Sequence, residues 1–198
     1  MNRDKTQQVR DGVREAYSAA AERPQDEHPF PVGWRFAESL GYPRDLLAGL
    51  PSVSVDAFSG VSNVAVFANI SVGDIILDLG CGAGLDSLIA AQRVGPNGRV
   101  IGVDFGEAML ACARQAVAET GADNVAFYQA DAENLPIGEG VVDIALVNGI
   151  FNLNPKRDAI FLDLARVVRQ GGAVYAAELI LREPLPPEIQ DSEANWFA

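Results

Sequence analysis

Two periods alternate along this chain. Short apolar runs read as buried strands, and between them apolar residues recur every three or four positions, as they do along helices. Residues 75–77 (Ile-Ile-Leu) end in Asp78, glycines follow at 80, 82 and 84, and a helical pattern begins at Leu85 and stops at Gly95-Pro96-Asn97-Gly98. The same logic predicts a second strand over 99–103 ending at Asp104, and a helix over 107–120 ended by Gly121. Further strands are predicted over 124–129 and 141–147, a helix over 156–169 and a fifth strand over 172–181. Strands joined through helices imply right-handed crossovers and hence a doubly wound, mainly parallel α/β sheet. Ligands bind such sheets at the carboxyl ends of the strands, where Asp78, Asp104, Asp131 and Asn148 fall.

Ahead of the first strand the pattern is helical but broken. Val9, Val13, Ala16, Tyr17 and Ala20 line one face of a predicted helix over 5–23, closed by Pro24. That face is expected to pack on the main domain as a cap over its ligand. Residues 24–31 form a proline- and charge-rich loop holding the sole histidine, His28, read as a solvated side chain. Gly41-Tyr42-Pro43 and Leu50-Pro51 cut residues 36–66 into two or three short helices, and residues 64–70 supply one more turn. The expected organisation is an N-terminal helical extension over 1–70, a core over 71–183 and a tail over 184–198.

Composition narrows the function. With 198 residues, 48% hydrophobic and 21% charged, the chain can bury the core of one domain. Its formal charge of −12 argues against a nucleic-acid partner, which calls for a basic surface. No apolar run is long enough to span a membrane, and residues 1–9 are too polar for a secretory signal, so a cytoplasmic location is expected. Two cysteines, Cys81 and Cys112, make neither a disulfide framework nor a C-x-x-C pair, and no metal site is expected.

A glycine turn between strand and helix suits a nucleotide cofactor, because glycine allows positive φ and close approach of the backbone to a ligand. A dinucleotide fingerprint wants G-x-G-x-x-G, whereas here the third glycine is Gly84 and Leu85 occupies the position that would need one. The spacing disfavours a nicotinamide enzyme. Asp104, about twenty residues after the turn, suits a ribose ligand in either class.

LDLGCGAG (77–84) with Asp104, QADAENLP (129–136) and VVDIALVNG (141–149) resemble the successive motifs of class I S-adenosylmethionine-dependent methyltransferases, over about residues 73–178. VREAYSAAA (13–21), LGYPRDLLAGLP (40–51), VGPNGRVIGVDF (94–105) and residues 148–172 are similar, more narrowly, to the arsenite methyltransferase family. The resemblance implies a Rossmann-like fold, S-adenosylmethionine as cofactor and a small-molecule acceptor. It also implies that Gly80, Gly82 and Gly84 let the backbone pass the methionine portion, with Cys81 packed beside it. Asp78 would hold its ammonium and Asp104 both ribose hydroxyls. Asp131 and Ala132 would read the adenine edge, Phe105 and Met109 flank the ring, and Asn148 stand near the methionine carboxylate or the transferring methyl. Asn152 and Asn154 either line the acceptor pocket or cap the helix after Pro155, with capping favoured, and bland alternatives stay open for Asp131 as a capping or turn residue and for Phe105 and Met109 as core fillers.

One departure matters. The family binds trivalent arsenic through cysteine thiolates, which suit a soft metalloid, yet Val61 and Gly149 stand at two of the thiol positions and no cysteine follows the fifth strand as far as Ala198. The expected acceptor is therefore not arsenite, and no catalytic residue is assigned. The alternative is a non-catalytic cofactor binder with a regulatory or assembly role. Residues 184–198 also cannot supply the strand hairpin that usually follows the fifth strand. Either further chain beyond Ala198 supplies it, or the expected sheet edge is open for a second copy of the chain to cover.

Overall fold

The computed structural model describes residues 3–180. Five parallel strands form one sheet in the order β3-β2-β1-β4-β5: β1 (Ile75–Leu79), β2 (Arg99–Asp104), β3 (Val125–Gln129), β4 (Val142–Asn148) and β5 (Val168–Ala177). The chain builds outward from β1 to β3, then returns across β1 to place β4 and β5 on the other side. The strand order therefore reverses between β1 and β4, the crevice where doubly wound sheets bind ligands.

Alternation along β1 assigns the two faces. Ile76 joins Val100, Ile144 and Leu146 beneath α6 (Leu85–Val94) and the short helices α2 (Trp34–Ser39), α3 (Arg44–Ala48), α4 (Ser52–Asp56) and α5 (Val64–Phe67). Leu77 and Leu79 turn the other way with Ala145 and Val147, against Ile160, Leu164 and Val167 of α8 (Arg157–Val167). Asp78 shares the face of Ile76 and meets α6. The N-terminal helix α1 (Arg3–Glu22) packs against α7 (Glu107–Thr120), and Ala20, Ala21 and Phe30 join Ala57, Ala83 and Met109 in a third cluster beside the glycine turn. The predicted apolar face of α1 is thus buried against the core domain, with Val13 only 2% exposed.

The last crossover corrects the predicted boundaries. Helix α8 stops at Val167, not at 169, and β5 begins at Val168 without an intervening loop. Val168 pairs with Val142, but Ala173 pairs with Ile144, so the strand absorbs a bulge through Gly171 and Gly172. A Cβ at Gly172 would lie 2.6 Å from the Asp143 carbonyl, which is why glycine sits there. β3 and β5 form the two sheet edges among the described residues; the last predicted strand residue (181) and the tail over 184–198, with the expectation about a following hairpin, lie outside them. No helix among the described residues is long and apolar enough to cross a membrane.

Because Leu77 is fully buried between β1 and α8 whereas Leu162 on the outer face of α8 is 73% exposed, truncation separates the two. Leu77→Ala should lower unfolding stability by about 2–5 kcal/mol. Leu162→Ala should change it by no more than about 0.5 kcal/mol, as urea titration would show.

Candidate functional site

A cavity opens over the carboxyl ends of β1, β2 and β4, with the helical extension as its opposite wall. From the sheet side come Asp78, Gly80, Cys81, Gly82, Asp104, Phe105, Met109, Asp131, Ala132 and Asn148; from the helical side come Arg10, Val13, Tyr17, Ser54, Phe58 and Ser59. Ten of the eleven residues singled out in the sequence therefore meet in one place.

Gly84 is the exception. It caps α6 with φ +83°, and a Cβ there would lie 3.0 Å from the Phe127 ring and 3.1 Å from Ala113 Cβ. It serves the contact of the turn with β3 and α7 rather than the cavity. A Cβ at Gly82, by contrast, would meet only Met109 Sδ at 3.9 Å, so this stretch of backbone faces open space.

Three carboxylates set the electrostatics. Asp78 is 2% exposed, and one of its oxygens accepts a 2.5 Å hydrogen bond from Ser87 Oγ. Burial and the neighbouring Asp86 charge push its carboxyl up to about 8. Asp86 is raised as well, chiefly by burial, while accepting from the Tyr42 hydroxyl at 2.6 Å and Asn148 Nδ2 at 2.9 Å. Asp104 is raised by burial although both its oxygens accept backbone amides, from Gly82 at 2.9 Å and Gly106 at 2.8 Å. Those two bonds fix the plane of the carboxylate and tie β2 to the glycine turn. None of the three pairs with a cation among the described residues. A cavity built this way favours a ligand that brings positive charge of its own.

Asn148 lines the cavity and also ties the helical extension to the end of β4. Its Oδ1 accepts from the amides of Val61 (2.9 Å) and Ser62 (3.1 Å), and its Nδ2 donates to Ser62 O (2.7 Å) and Asp86 Oδ2. The amide is spent on holding the 60–62 loop at the end of β4. Gly60 has no side chain because a Cβ there would come within 2.6 Å of Asn148 Nδ2. Asp131 is likewise engaged: Arg10 of α1 bonds it and also reaches Glu133 Oε1 at 3.1 Å, clamping α1 to the loop after β3. Arg14 lies 5.6 Å above the Phe105 ring, a second tie from α1.

Of the remaining polar candidates, Asn154 lines the cavity, whereas His28 and Asn152 do not. His28 is partly buried, with Nε2 3.0 Å from the Arg23 carbonyl, and does not line the cavity. Asn152 bonds the Leu179 carbonyl; Asn154 accepts from the Lys156 amide at 2.8 Å and donates to Glu133 at 2.9 Å. Neither caps α8, whose N-cap residue Lys156 has no side-chain capping bond. Burial pushes the Cys81 thiol well above its ordinary value, and Cys112 Sγ sits 3.6 Å from the Ala21 carbonyl, so both are packed thiols. Among the described residues no cluster of His, Cys, Asp or Glu is arranged to hold a metal ion.

The expected cap, with Val13 and Tyr17 on its apolar face, does line the cavity, but Arg10, Ser54, Ser59 and Glu133 reach it through long-range packing that nothing local in the sequence marks. Asp86 and Tyr42 carried a signal: an acidic residue two positions past the last glycine of the turn, and an aromatic in a Gly-Tyr-Pro break.

Fold and cavity together define a class I, Rossmann-like methyltransferase domain. Residues 70–197 match the methyltransferase-domain family, and the chain belongs to it. Within that class it is similar to the arsenite methyltransferase of Halobacterium salinarum, with 38% identity over 154 residues that make up 78% of this chain and 39% of that protein. It is also similar to the demethylmenaquinone methyltransferase of Lactococcus lactis, with 35% identity over 52% of this chain and 41% of that protein. Among solved structures, an arsenic(III) S-adenosylmethionine methyltransferase from Chlamydomonas reinhardtii superimposes with a TM-score of 0.67 at 30% identity, covering 74% of this chain and 51% of that one. The chain spans about two fifths of the length of the two relatives compared by sequence. S-adenosylmethionine, the cofactor of this family, carries a sulfonium and an ammonium, and the cation-free carboxylates beside an open glycine backbone fit it.

The raised Asp78 carboxyl predicts a measurable pH dependence. Its folded value lies above the ordinary carboxylate range, so the cofactor-free protein is most stable below about pH 4 with respect to this group. That contribution is lost as pH climbs toward 8. Asp78→Asn should therefore raise the stability of the cofactor-free protein at pH 8 by on the order of 1–3 kcal/mol. It should also make the fall between pH 5.5 and 8 shallower. Urea denaturation across that range checks both, and equal slopes in the two proteins would refute the assignment.

Proposed function

We propose that this chain moves a methyl group from S-adenosylmethionine to a small-molecule acceptor other than thiolate-held arsenite. The observation that carries the acceptor half is the packing of Val61 on Gly149. A Cβ at position 149 would lie 3.1 Å from Val61 Cγ1. In the arsenite methyltransferase family these two positions carry thiols; here they meet as an apolar contact between the helical wall and the end of β4. Ile150 extends it, since a Cβ at Gly80 would lie 2.3 Å from Ile150 Cγ2. With Cys81 buried in the turn and Cys112 bound up with α1, this surface suits an acceptor held by shape and apolar contact.

The division of work among the residues follows from their surroundings. Asp78, buried and cation-free, holds the ammonium of the methionine portion. Asp104, its plane fixed by two amides, has lone pairs left for the ribose hydroxyls. Gly82 leaves the backbone open beside the ligand, and Phe105 with Met109 flanks the adenine. Ala132 and the residues around Asp131 border its edge, with Asp131 itself held by Arg10. When bound, the sulfonium supplies an electrophilic methyl that is transferred by in-line displacement. The protein contributes by holding donor and acceptor collinear and by excluding water with α1 and the short helices. A general base is needed only for an acceptor that is protonated at working pH.

Two measurements test the reading. Asp104→Ala should weaken S-adenosylhomocysteine binding by on the order of 1–3 kcal/mol, because it strands the hydroxyls it served. Unchanged affinity by titration calorimetry would overturn the ribose assignment. Incubation with methyl-labelled cofactor and a panel of small metabolites that includes arsenite should label a carbon, nitrogen or oxygen acceptor. Brisk transfer to arsenite would overturn the acceptor proposal, and cofactor binding with no transfer to any acceptor would favour a non-catalytic role.

A further inference from the structure

The helical wall holds one buried polar group that the fold itself leaves unused. Ser54, on α4, is 0% exposed and lines the cavity, yet its hydroxyl has no hydrogen-bond partner among the described residues. Every other buried side-chain polar atom among them is partnered. A buried hydroxyl without a partner is costly, and in a native fold it asks for an explanation such as a ligand.

What the hydroxyl can meet is set by the wall opposite. Asp78, Asp86 and Asp104 fill the sheet side with carboxylates. A zwitterionic amino-acid end placed there directs its ammonium to the sheet, and its own carboxylate must turn away from like charge. It turns to the helical wall, whose polar groups are Arg10, Tyr17, Ser54 and Ser59. Arg10 is engaged with Asp131 and Glu133, and the Tyr17 hydroxyl lies beside the Ser59 side chain. Ser54 stands free. It is placed one helical turn before Ala57 and Phe58, and Ala57 packs with Ala83 of the glycine turn, so α4 overlies the end of the cavity where the methionine portion runs.

From the orphaned hydroxyl and the acidic wall facing it, we infer that Ser54 is a cofactor-binding residue that donates a hydrogen bond to the methionine carboxylate of S-adenosylmethionine. The inference rests on the cofactor reading above and adds the second pole of the zwitterion to it. It also gives α4 a reason to be held over the cavity, next to the amino-acid end of the ligand.

Ser54→Ala separates this role from a structural one. In the cofactor-free protein the substitution removes an unpartnered polar atom, so the melting temperature should stay level or rise. With S-adenosylhomocysteine, calorimetric affinity should fall about tenfold or more, as expected for a hydrogen bond to a charged group. With the decarboxylated analogue of S-adenosylhomocysteine, wild type and Ser54→Ala should bind equally. Equal losses for both ligands, or no loss for either, would overturn the Ser54 assignment while leaving the cofactor reading intact. Wild-type protein that binds neither ligand would overturn both.

Discussion

The structure hangs on one amide. Asn148 ends β4 at the point where the strand order reverses, and it holds the backbone of Val61 and Ser62 from both sides while reaching Asp86 at the start of α6. Tyr42 completes the junction, its hydroxyl 2.6 Å from Asp86 and 3.1 Å from Ser62 O. Sheet, glycine-turn helix and helical extension are joined here by a buried polar network that leaves no member unsatisfied, and such networks rigidify and specify a single arrangement. The helical wall could not present Ser54, Phe58 and Ser59 to the strand ends without it.

Against that well-satisfied junction stands a strained electrostatic neighbourhood. Asp78, Asp86 and Asp104 are drawn away from water with no cation among the described residues to offset them, and all three hold their protons more tightly as a result. In the free protein this arrangement lowers stability as pH rises. It is the ordinary tension of a binding site, where groups placed for a ligand are unfavourable without it. Positive charge arriving on the ligand relaxes the tension, so part of the binding free energy is relief of a cost already present in the fold.

How much of this was legible in advance follows the range of the signals. Strands β1 to β4 and helices α6 and α7 announce themselves by local periodicity and by glycine stops, and the sheet-side residues sit at strand ends where the topology must put them. The β5 boundary failed because a bulge at Gly171 and Gly172 let the strand begin inside what looks like the end of a helix. Asn148 was placed at the cavity, but its bonds to the 61–62 backbone were not legible, since those partners lie about 86 residues earlier in the chain. Gly84 shared a motif with Gly82, yet only the packing of Phe127 and Ala113 shows that the two glycines do different work. Ser54 had no signal at all: a serine in a five-residue helix becomes informative only when everything around it is seen to be paired.

The two walls therefore carry different kinds of information. The sheet side is dictated by the cofactor, because strand ends, turn amides and carboxylates must match a fixed chemical object. In the proposed reading the acceptor lies at the end of β4 and the 60–62 loop facing it, where Val61 and Gly149 depart from the cysteine pattern that the arsenite methyltransferase resemblance implies. A change at Val61 or Gly149 alone would leave a lone thiol opposite an apolar or empty partner. The pair matters because a Cβ at position 149 would lie 3.1 Å from Val61 Cγ1 on a backbone at φ +81°, so a side chain there requires the valine to shift. In the proposed reading, acceptor choice depends on a contact between the walls, and the Asn148 junction, which bonds the 61–62 backbone to the end of β4, sets the spacing of that contact.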